Sequence, residues 1–545
     1  MPDILETGVL VIGGGPVGLG LALDLAWRGC PSLLAERDSG TATVLLAKAN
    51  GLHERTMELC RRWGIAERVE RAGFPTWHPG DSVYCTGLGG YYIGRSFMPS
   101  TEERVTPPET PQKRMRCPQY TFDPLLASEV QARGLTKLLY SHNFESLEQD
   151  ASGVTVKLRR TSDGASVTVR TKFLVGCDGA GSAVRQAVGI DFTGRLLDYS
   201  MSAMLRIDDL QSRIDYGRRG ERYLLLGKEG AWGIMTSVDG ASVWRLTVVG
   251  SQEKLNPATY DASADVRRAL GDIDAPFEIL RVVPWRRSEY AAGAFRSGRV
   301  FLAGDSAHTT SPTGGHGMNT GFGDVSDLGW MLEAVLSGWG GPGLLDAYDA
   351  ERRPVAKRNS ASSTANYRGW VANEGYECIL EPGANGEAAR AAIGAKLQSS
   401  LHNEWNSLGI DLGFRYEDSP VIIPDGTPAT EDTPDTYIPT ARPGHRAPHA
   451  WLSDDRSTLD LFGRGFVLLD FAHQTTVAPL EKAAALRRVP LQTIDIADDR
   501  IAQLYGFNLV LVRPDGHVAW RGNQLPDDVD RLVDIVRGTR PPRVA

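Results

Sequence analysis

The sequence has little of what marks a secreted, disulfide-stapled or zinc-binding protein. Its 545 residues include six cysteines, Cys30, Cys60, Cys85, Cys117, Cys177 and Cys378, none in a C-x-x-C pair. Neither a disulfide framework nor a zinc site is expected, and a reducing cytoplasm suits such a chain. Positive charge is not in excess: the formal net charge of −8 argues against nucleic acid or an anionic membrane as partner. One stretch, Val9 to Trp27, is almost free of charge over the length of a membrane span. Asp24, Pro16, the glycine cluster and the lack of a preceding basic region speak against both a span and a signal peptide. Internal repeats, a nucleophile triad and paired catalytic carboxylates are all missing. His308 and His316 come nearest to a metal pair, but they lie on a glycine-rich loop without acid or thiol company, and no metal is expected.

What remains is an ordinary globular composition, 41% hydrophobic and 23% charged, carrying three glycine-and-aspartate segments. They are Gly13-Gly14-Gly15-Pro16-Val17-Gly18, Cys177-Asp178-Gly179 and Gly304-Asp305-Ser306-Ala307-His308. Each follows a short apolar run of strand type: Val9–Ile12, Phe173–Val175 and Val300–Ala303. Strand ends meeting such turns are where open α/β sheets bind ligands. The first segment is a G-x-G-x-x-G in which Gly13 permits the turn, Gly15 admits a pyrophosphate and Gly18 lets the next helix pack closely. That helix, from Pro16 to about Arg28, directs its N-terminal N–H groups at the phosphates. The following strand, Ser32–Ala35, ends on Glu36, placed as a ribose-hydroxyl acceptor. A dinucleotide is therefore expected.

Along the chain, βαβα texture runs to about Phe74, with a helix over Asn50–Trp63. An irregular excursion rich in Gly, Pro and Tyr follows from Pro75 to Pro118, then a helix from about Asp123 to Arg133. Strand-and-turn texture between Phe192 and Tyr290 predicts an antiparallel sheet inserted into the nucleotide fold. A long helix is predicted over Met318–Leu336. Beyond about Lys396 a separate domain is expected, with a Pro-, Thr- and Asp-rich arm over Ile422–Pro448. Its strands are Phe466–Leu469, Leu491–Ile496, Leu509–Arg513 and His517–Trp520, and its last helix is Asp527–Arg537.

These motifs together resemble the single-component FAD-dependent aromatic hydroxylases, the family of p-hydroxybenzoate hydroxylase. The likeness is greatest to the longer phenol, hydroxyphenylpropionate and polyketide hydroxylases. Cys177–Arg185 resembles the family's DG motif, Arg299–Asn319 its GD motif and flavin loop, and Tyr348–Pro354 the helix ending that follows. The resemblance implies an α/β fold with a Rossmann-type FAD-binding domain over 1–190 and 291–395. It further implies a substrate-binding sheet over 191–290 and a thioredoxin-like C-terminal domain over 396–545. With no cysteine after Cys378, that last domain has no thiol–disulfide chemistry; packing or dimer contact is its default role, and a homodimer is compatible.

The implied FAD contacts are Gly13, Gly15, Pro16, Gly18, Glu36, Arg37, Lys48, Gln119, Asp178, Gly179, Asp305, Pro312, Gly315, Gly317, Met318 and Asn319. FAD is expected to be non-covalent, with NADH or NADPH as co-substrate; Arg37 belongs to the FAD site and does not discriminate between the two. The substrate pocket is expected between flavin loop and inserted sheet, with Tyr223, Trp232, Met235, Trp244 and Pro312 as candidate walls. Arg245 is the candidate for holding a phenolate, and His53 and His316 for its base. The family's usual His-Pro-Arg-Ala reads Leu46-Ala47-Lys48-Ala49 here, which leaves the deprotonating group open.

The implied reaction is hydroxylation of a phenolic ring with O₂ through a flavin C4a-hydroperoxide. A polyketide tailoring oxygenation, of hydroxylation or Baeyer–Villiger type, stays open. So does a non-catalytic FAD-binding role, as in escort proteins of related fold. The tryptophan motif of flavin halogenases is missing, as is the His or covalent Cys site of flavin oxidases.

Overall fold

The computed structural model describes residues 4–41, 49–72, 74–371, 374–453, 455–473 and 476–541. Its first sheet runs, edge to edge, through Arg296–Ser297, Val300–Leu302, Ser166–Gly176, Ile4–Ile12, Ser32–Ala35 and Thr136–Leu139. His142–Gln149 and Val154–Arg160 form an antiparallel extension. The strands that precede the three motifs are neighbours and parallel: Ile12 is level with Gly176, and Gly176 with Leu302. Segments almost 300 residues apart in sequence, about the size of a whole domain, thus open at one carboxyl edge. The apolar runs Val9–Val11 and Leu174–Val175 are fully buried, as expected of parallel strands covered on both faces.

Helices Pro16–Trp27, Gln119–Arg133 and His316–Leu336 pack together against this sheet. Close approach demands glycine here: a Cβ on Gly18 would stand 2.0 Å from the Gly13 carbonyl oxygen, and one on Gly20 2.9 Å from the Phe322 ring. The helix predicted over Asn50–Trp63 is shorter, Glu54–Arg62. Gly51–Leu52 instead pairs as a strand with Met115–Arg116. The helix at Gln119–Arg133 starts four residues earlier than expected, directly after Pro118, and carries Pro124 inside it.

The inserted sheet has eight strands: His308–Thr309, Glu278–Ala292, Phe192–Arg206, Val243–Ser251, Gly230–Ser237, Arg222–Gly227, Ser82–Cys85 and Tyr92–Ser96. The last two come from the excursion read as irregular. They are short, and Gly and Pro around them hide the strand pattern. One face is covered by helix Ala262–Leu270, the other by Trp370, Ile379, Ile393 and Leu397.

The C-terminal region contains a four-stranded sheet, ordered Leu491–Asp495, Phe466–Asp470, Leu509–Val512 and Val518–Gly522, with helices Ala478–Leu486 and Val529–Val536. Helix Gly383–Ser400 runs through the expected boundary at 395. The turn after Val512 plugs into the FAD-binding region. Arg513, wholly buried, donates to both carboxylate oxygens of Glu351, at 2.5 and 2.9 Å, and also pairs with Asp515. Asp515 in turn accepts the Trp330 indole N–H at 3.1 Å. Among the described residues no helix is long and apolar enough to cross a membrane.

Candidate active site

The carboxyl edge presents two helix N-termini with glycine as N-cap and no side chain capping either: Gly15 before Pro16–Trp27, and Gly315 before His316–Leu336. Their first-turn N–H groups are free for an anion or a polarised carbonyl. A Cβ on Gly15, Gly179 or Gly181 would meet no atom within 4 Å, so a cradle lies open above the three turns. Glu36 closes it on one side, its carboxylate held by the N–H groups of Gly14 (2.5 Å) and Asp38 (2.8 Å). Asp305 is exposed at the third turn, and Pro312 and Gly315 are exposed on the loop beyond it. These features fit a dinucleotide laid across the edge, with its pyrophosphate at Gly15 and its ring system at the Pro312–Asn319 loop.

Other expected contacts act indirectly. Asp178 accepts from Ser182 Oγ (2.6 Å) and Val184 N–H (3.1 Å), so its side chain shapes the Gly179 turn. Gln119 donates to Asp123 at 3.0 Å. Asn319 locks the flavin loop: its Oδ1 accepts from His53 N–H and Thr56 Oγ, and its Nδ2 donates to the Gly51 and Gly315 carbonyls. Gly317 approaches Thr310 too closely for easy substitution, Met318 packs on the core, and Arg37 points to solvent. Lys48 lies outside the described residues. Arg185 is a tie the sequence did not single out, bridging the second and third turns through the Ala180 and Ser306 carbonyls at 2.9 and 2.7 Å.

Beneath the loop, His53 and His316 meet edge to face at 5.2 Å, both buried. Between them lies Asp411, 358 residues from His53, with its Oδ1 2.7 Å from His53 Nδ1 and 3.6 Å from His316 Nδ1. Its second oxygen accepts from Arg114 (3.1 Å) and Ser407 (2.8 Å). Burial pushes the Asp411 carboxyl up, but the two imidazoles outweigh it and hold the group well below the usual carboxylate range. Burial lowers His316, with Asp411 as the partial counterweight. The three side chains offer ligand atoms within 4.8 Å of one another, and Asp411 accepts from His53, Arg114 and Ser407, as in a hydrogen-bonded acid–base cluster.

Strand alternation decides the substrate face. Tyr223, Trp232, Met235 and Trp244 all turn into the core beneath helix Ala262–Leu270. They are therefore corrected from pocket walls to packing residues. Arg245 points the other way, in a cross-strand row with Thr236 and Arg222. Arg116 faces the same space, and it and Arg222 stack on Phe74 and Trp405 at 4.6 and 4.0 Å. Burial, then repulsion from Arg222, Arg245 and Arg104, lowers Arg116 well below an ordinary guanidinium; burial and Arg222 bring Arg245 to about 10. Arg116 is paired with Glu221, but its Nε and Nη2 are buried without partners. Glu404 joins this basic face to the flavin loop: it lies 3.8 Å from Arg222, accepts the Trp370 N–H at 2.6 Å and is hydrogen-bonded by the Gly314 backbone.

Residues 6–363 match the family model of an FAD binding domain, and residues 440–539 that of an aromatic-ring hydroxylase C-terminal domain. The chain belongs to the FAD-dependent aromatic-ring hydroxylases. A putative polyketide hydroxylase of Streptomyces halstedii is 32% identical, over 95% of this chain and 93% of that protein. Phenol 2-monooxygenase of a Pseudomonas species is 31% identical, over 98% and 93%. The rebeccamycin biosynthetic enzyme RebC, solved with reduced flavin, superimposes with a TM-score of 0.91 at 41% identity, over 98% of this chain and all of that one. The hydroxylase is an NAD(P)H- and O₂-dependent flavoprotein monooxygenase acting on aromatic rings. Bound FAD supplies the activation of oxygen. When FAD is bound, the open turn at Gly15 would hold its phosphates, the uncapped Gly315 terminus would receive its ring system, and the surrounding protein would enclose the aromatic substrate against water.

Proposed function

We propose that this monooxygenase acts on an extended aromatic substrate that bears a carboxylate. The carrying observation is the cross-strand row of Arg222 and Arg245 with Arg116 facing it, where Arg222, Arg245 and Arg104 lower Arg116 and Arg222 lowers Arg245, with partnerless donors on Arg116. A neutral phenol would leave the spare Arg116 donors unmet, whereas a carboxylate accepts paired guanidinium N–H bonds. RebC has been solved with bound 7-carboxy-K252c, a name that itself contains a carboxyl group, and it is the same size and shape as this chain. Arg245 then serves as the anchor of the acid, and the buried His53–Asp411–His316 cluster under the flavin loop as the store of exchangeable protons. A homodimer, and a cytoplasmic location, complete this reading.

The test is NAD(P)H oxidation with aromatic acids and their methyl esters or decarboxylated analogues. A charge-assisted hydrogen bond contributes about 1.5–3 kcal/mol, so Arg245→Met and Arg222→Met should each raise KM for the acid about tenfold to a hundredfold. Equal KM for acid and ester in the parent enzyme would remove the carboxylate from the reading. A second reading, a neutral phenol as for phenol 2-monooxygenase, would then stand.

A further inference from the structure

A second basic site lies away from the flavin edge, where helix Glu54–Arg62 meets the C-terminal region. A cavity of about 220 Å³ separates that helix from the Asp515–Gly516 turn and the Leu459–Phe462 segment, and Arg55, Arg61 and Arg62 line it. Its two acids are occupied. Asp460 is held by Arg61 through two bonds of 2.7 Å. Glu58 is held by Arg55 at 2.9 Å, by Thr110 at 2.7 Å and by the buried Arg446.

Arg62 has no such partner. Among the described residues it forms no ion pair. Its one hydrogen bond is a long contact of 3.4 Å from Nη2 to the Asp515 carbonyl, which already accepts Arg55 Nη2 at 2.6 Å. Arg62 Nη1 and Arg55 Nε are both buried without an acceptor, and Arg55 is only 6% exposed. Burial first, and then repulsion from Arg55 and Arg28, brings Arg62 down to about 10 against the partial attraction of Asp24 and Asp515. Two guanidinium groups thus converge on one carbonyl, with spare donors and room beside them. Arg61 and Asp460, 30% and 24% exposed, form the side through which solvent enters.

Spare guanidinium donors beside a roomy cavity suit a counter-ion. We propose that this cavity is a binding site for a small tetrahedral oxyanion of the phosphate or sulfate class, held by Arg55 and Arg62 between the FAD-binding and C-terminal regions. Several N–H donors from two planar guanidinium groups suit the many acceptor oxygens of such an ion. Bound there, it would fasten the C-terminal region to the helix whose other end begins at His53.

The experiment titrates the FAD-loaded full-length enzyme with inorganic phosphate by calorimetry and thermal unfolding, in a low-anion buffer held at constant ionic strength with chloride. The parent enzyme should bind one phosphate per chain and gain unfolding temperature in step with saturation, with sulfate competing and chloride inert. Arg62→Met should lower phosphate affinity at least tenfold while leaving flavin content and turnover unchanged. Without phosphate it should unfold at the parent temperature or above, because an unpaired buried cation has been removed. That last readout separates a binding residue from a merely structural one, which would destabilise on removal. Arg55→Gln is the second variant and should also lose affinity. No phosphate binding by the parent enzyme, or equal binding by both variants and parent, would overturn the proposal.

Discussion

Gly18 lies so close to Gly13 that a Cβ on it would stand 2.0 Å from the Gly13 carbonyl oxygen, whereas a Cβ on Gly15, three residues earlier, would meet nothing within 4 Å. One glycine is required by the protein's own backbone, while the other borders open space that a ligand could fill. Gly18→Ala should therefore destabilise even FAD-free protein, by about 2 kcal/mol or more. Gly15→Ala should leave the FAD-free unfolding temperature unchanged while weakening FAD retention. Thermal unfolding of FAD-stripped protein, set beside flavin absorbance after gel filtration, checks both halves. A destabilised FAD-free Gly15→Ala variant would contradict the assignment of the open space to the cofactor.

Asp305 is exposed at the third turn, just after Val300–Leu302. Asp305→Ala should lower flavin content with the unfolding midpoint of the FAD-free chain unmoved. Parent-like flavin content in that variant would remove Asp305 from the site.

Asp411 is what opposes the downward pull of burial on His316. Asp411→Asn removes that anion, so the His316 pKa should fall further. The corresponding imidazole titration, followed by NMR of labelled histidine, should then move to lower pH. Among the described residues the same substitution leaves Arg114 with Glu54 as its only carboxylate partner. An unmoved titration would mean that the carboxylate does not govern the cluster.

Three buried histidines make the C-terminal region acid-sensitive. Burial, aided by neighbouring arginines, lowers His445 to about 3 and His449 to about 4; for His517 burial outweighs the attraction of Asp515 and leaves it at about 4. In the unfolded chain each titrates near about 6.5. The unfolded state therefore takes up more protons below that value, so stability is full above about pH 6.5 and declines as pH falls toward 4. Thermal unfolding measured at intervals across that window should show a falling midpoint, with a shallower fall for His517→Gln. A flat profile from pH 7 to 4 would contradict it.

The cofactor edge was legible in the sequence because its signals are local: each apolar run is followed at once by its glycine turn, and the parallel register then sets Ile12, Gly176 and Leu302 level. The substrate side was legible only in part. Alternation marks two faces on Arg222–Gly227 or Val243–Ser251, but nothing within a strand says which face meets helix Ala262–Leu270. Large aromatics drew the eye to Tyr223, Trp232 and Trp244, and these are the residues a buried core takes first. Arg222 and Glu404 had no local pattern at all, and neither did Asp411, which reaches His53 across 358 positions. The strand Ser82–Cys85 was hidden for a related reason, since its partner Arg222–Gly227 lies far along the chain; Tyr92–Ser96 pairs only with that short strand, at the sheet edge.

The wholly buried Arg513–Glu351 pair, with Asp515 beside it on Trp330, limits how this architecture can be cut or recombined. Removing one member of a buried pair costs about 3–5 kcal/mol, because the other charge is left behind in a dry interior. A truncation before the last sheet would strand Glu351 on a helix that also bears on the GD turn, through Arg352 and Asp324. The C-terminal region is thus no detachable cassette. Chimeras between related hydroxylases would tolerate a crossover there only if both halves of the ionic lock came from the same parent.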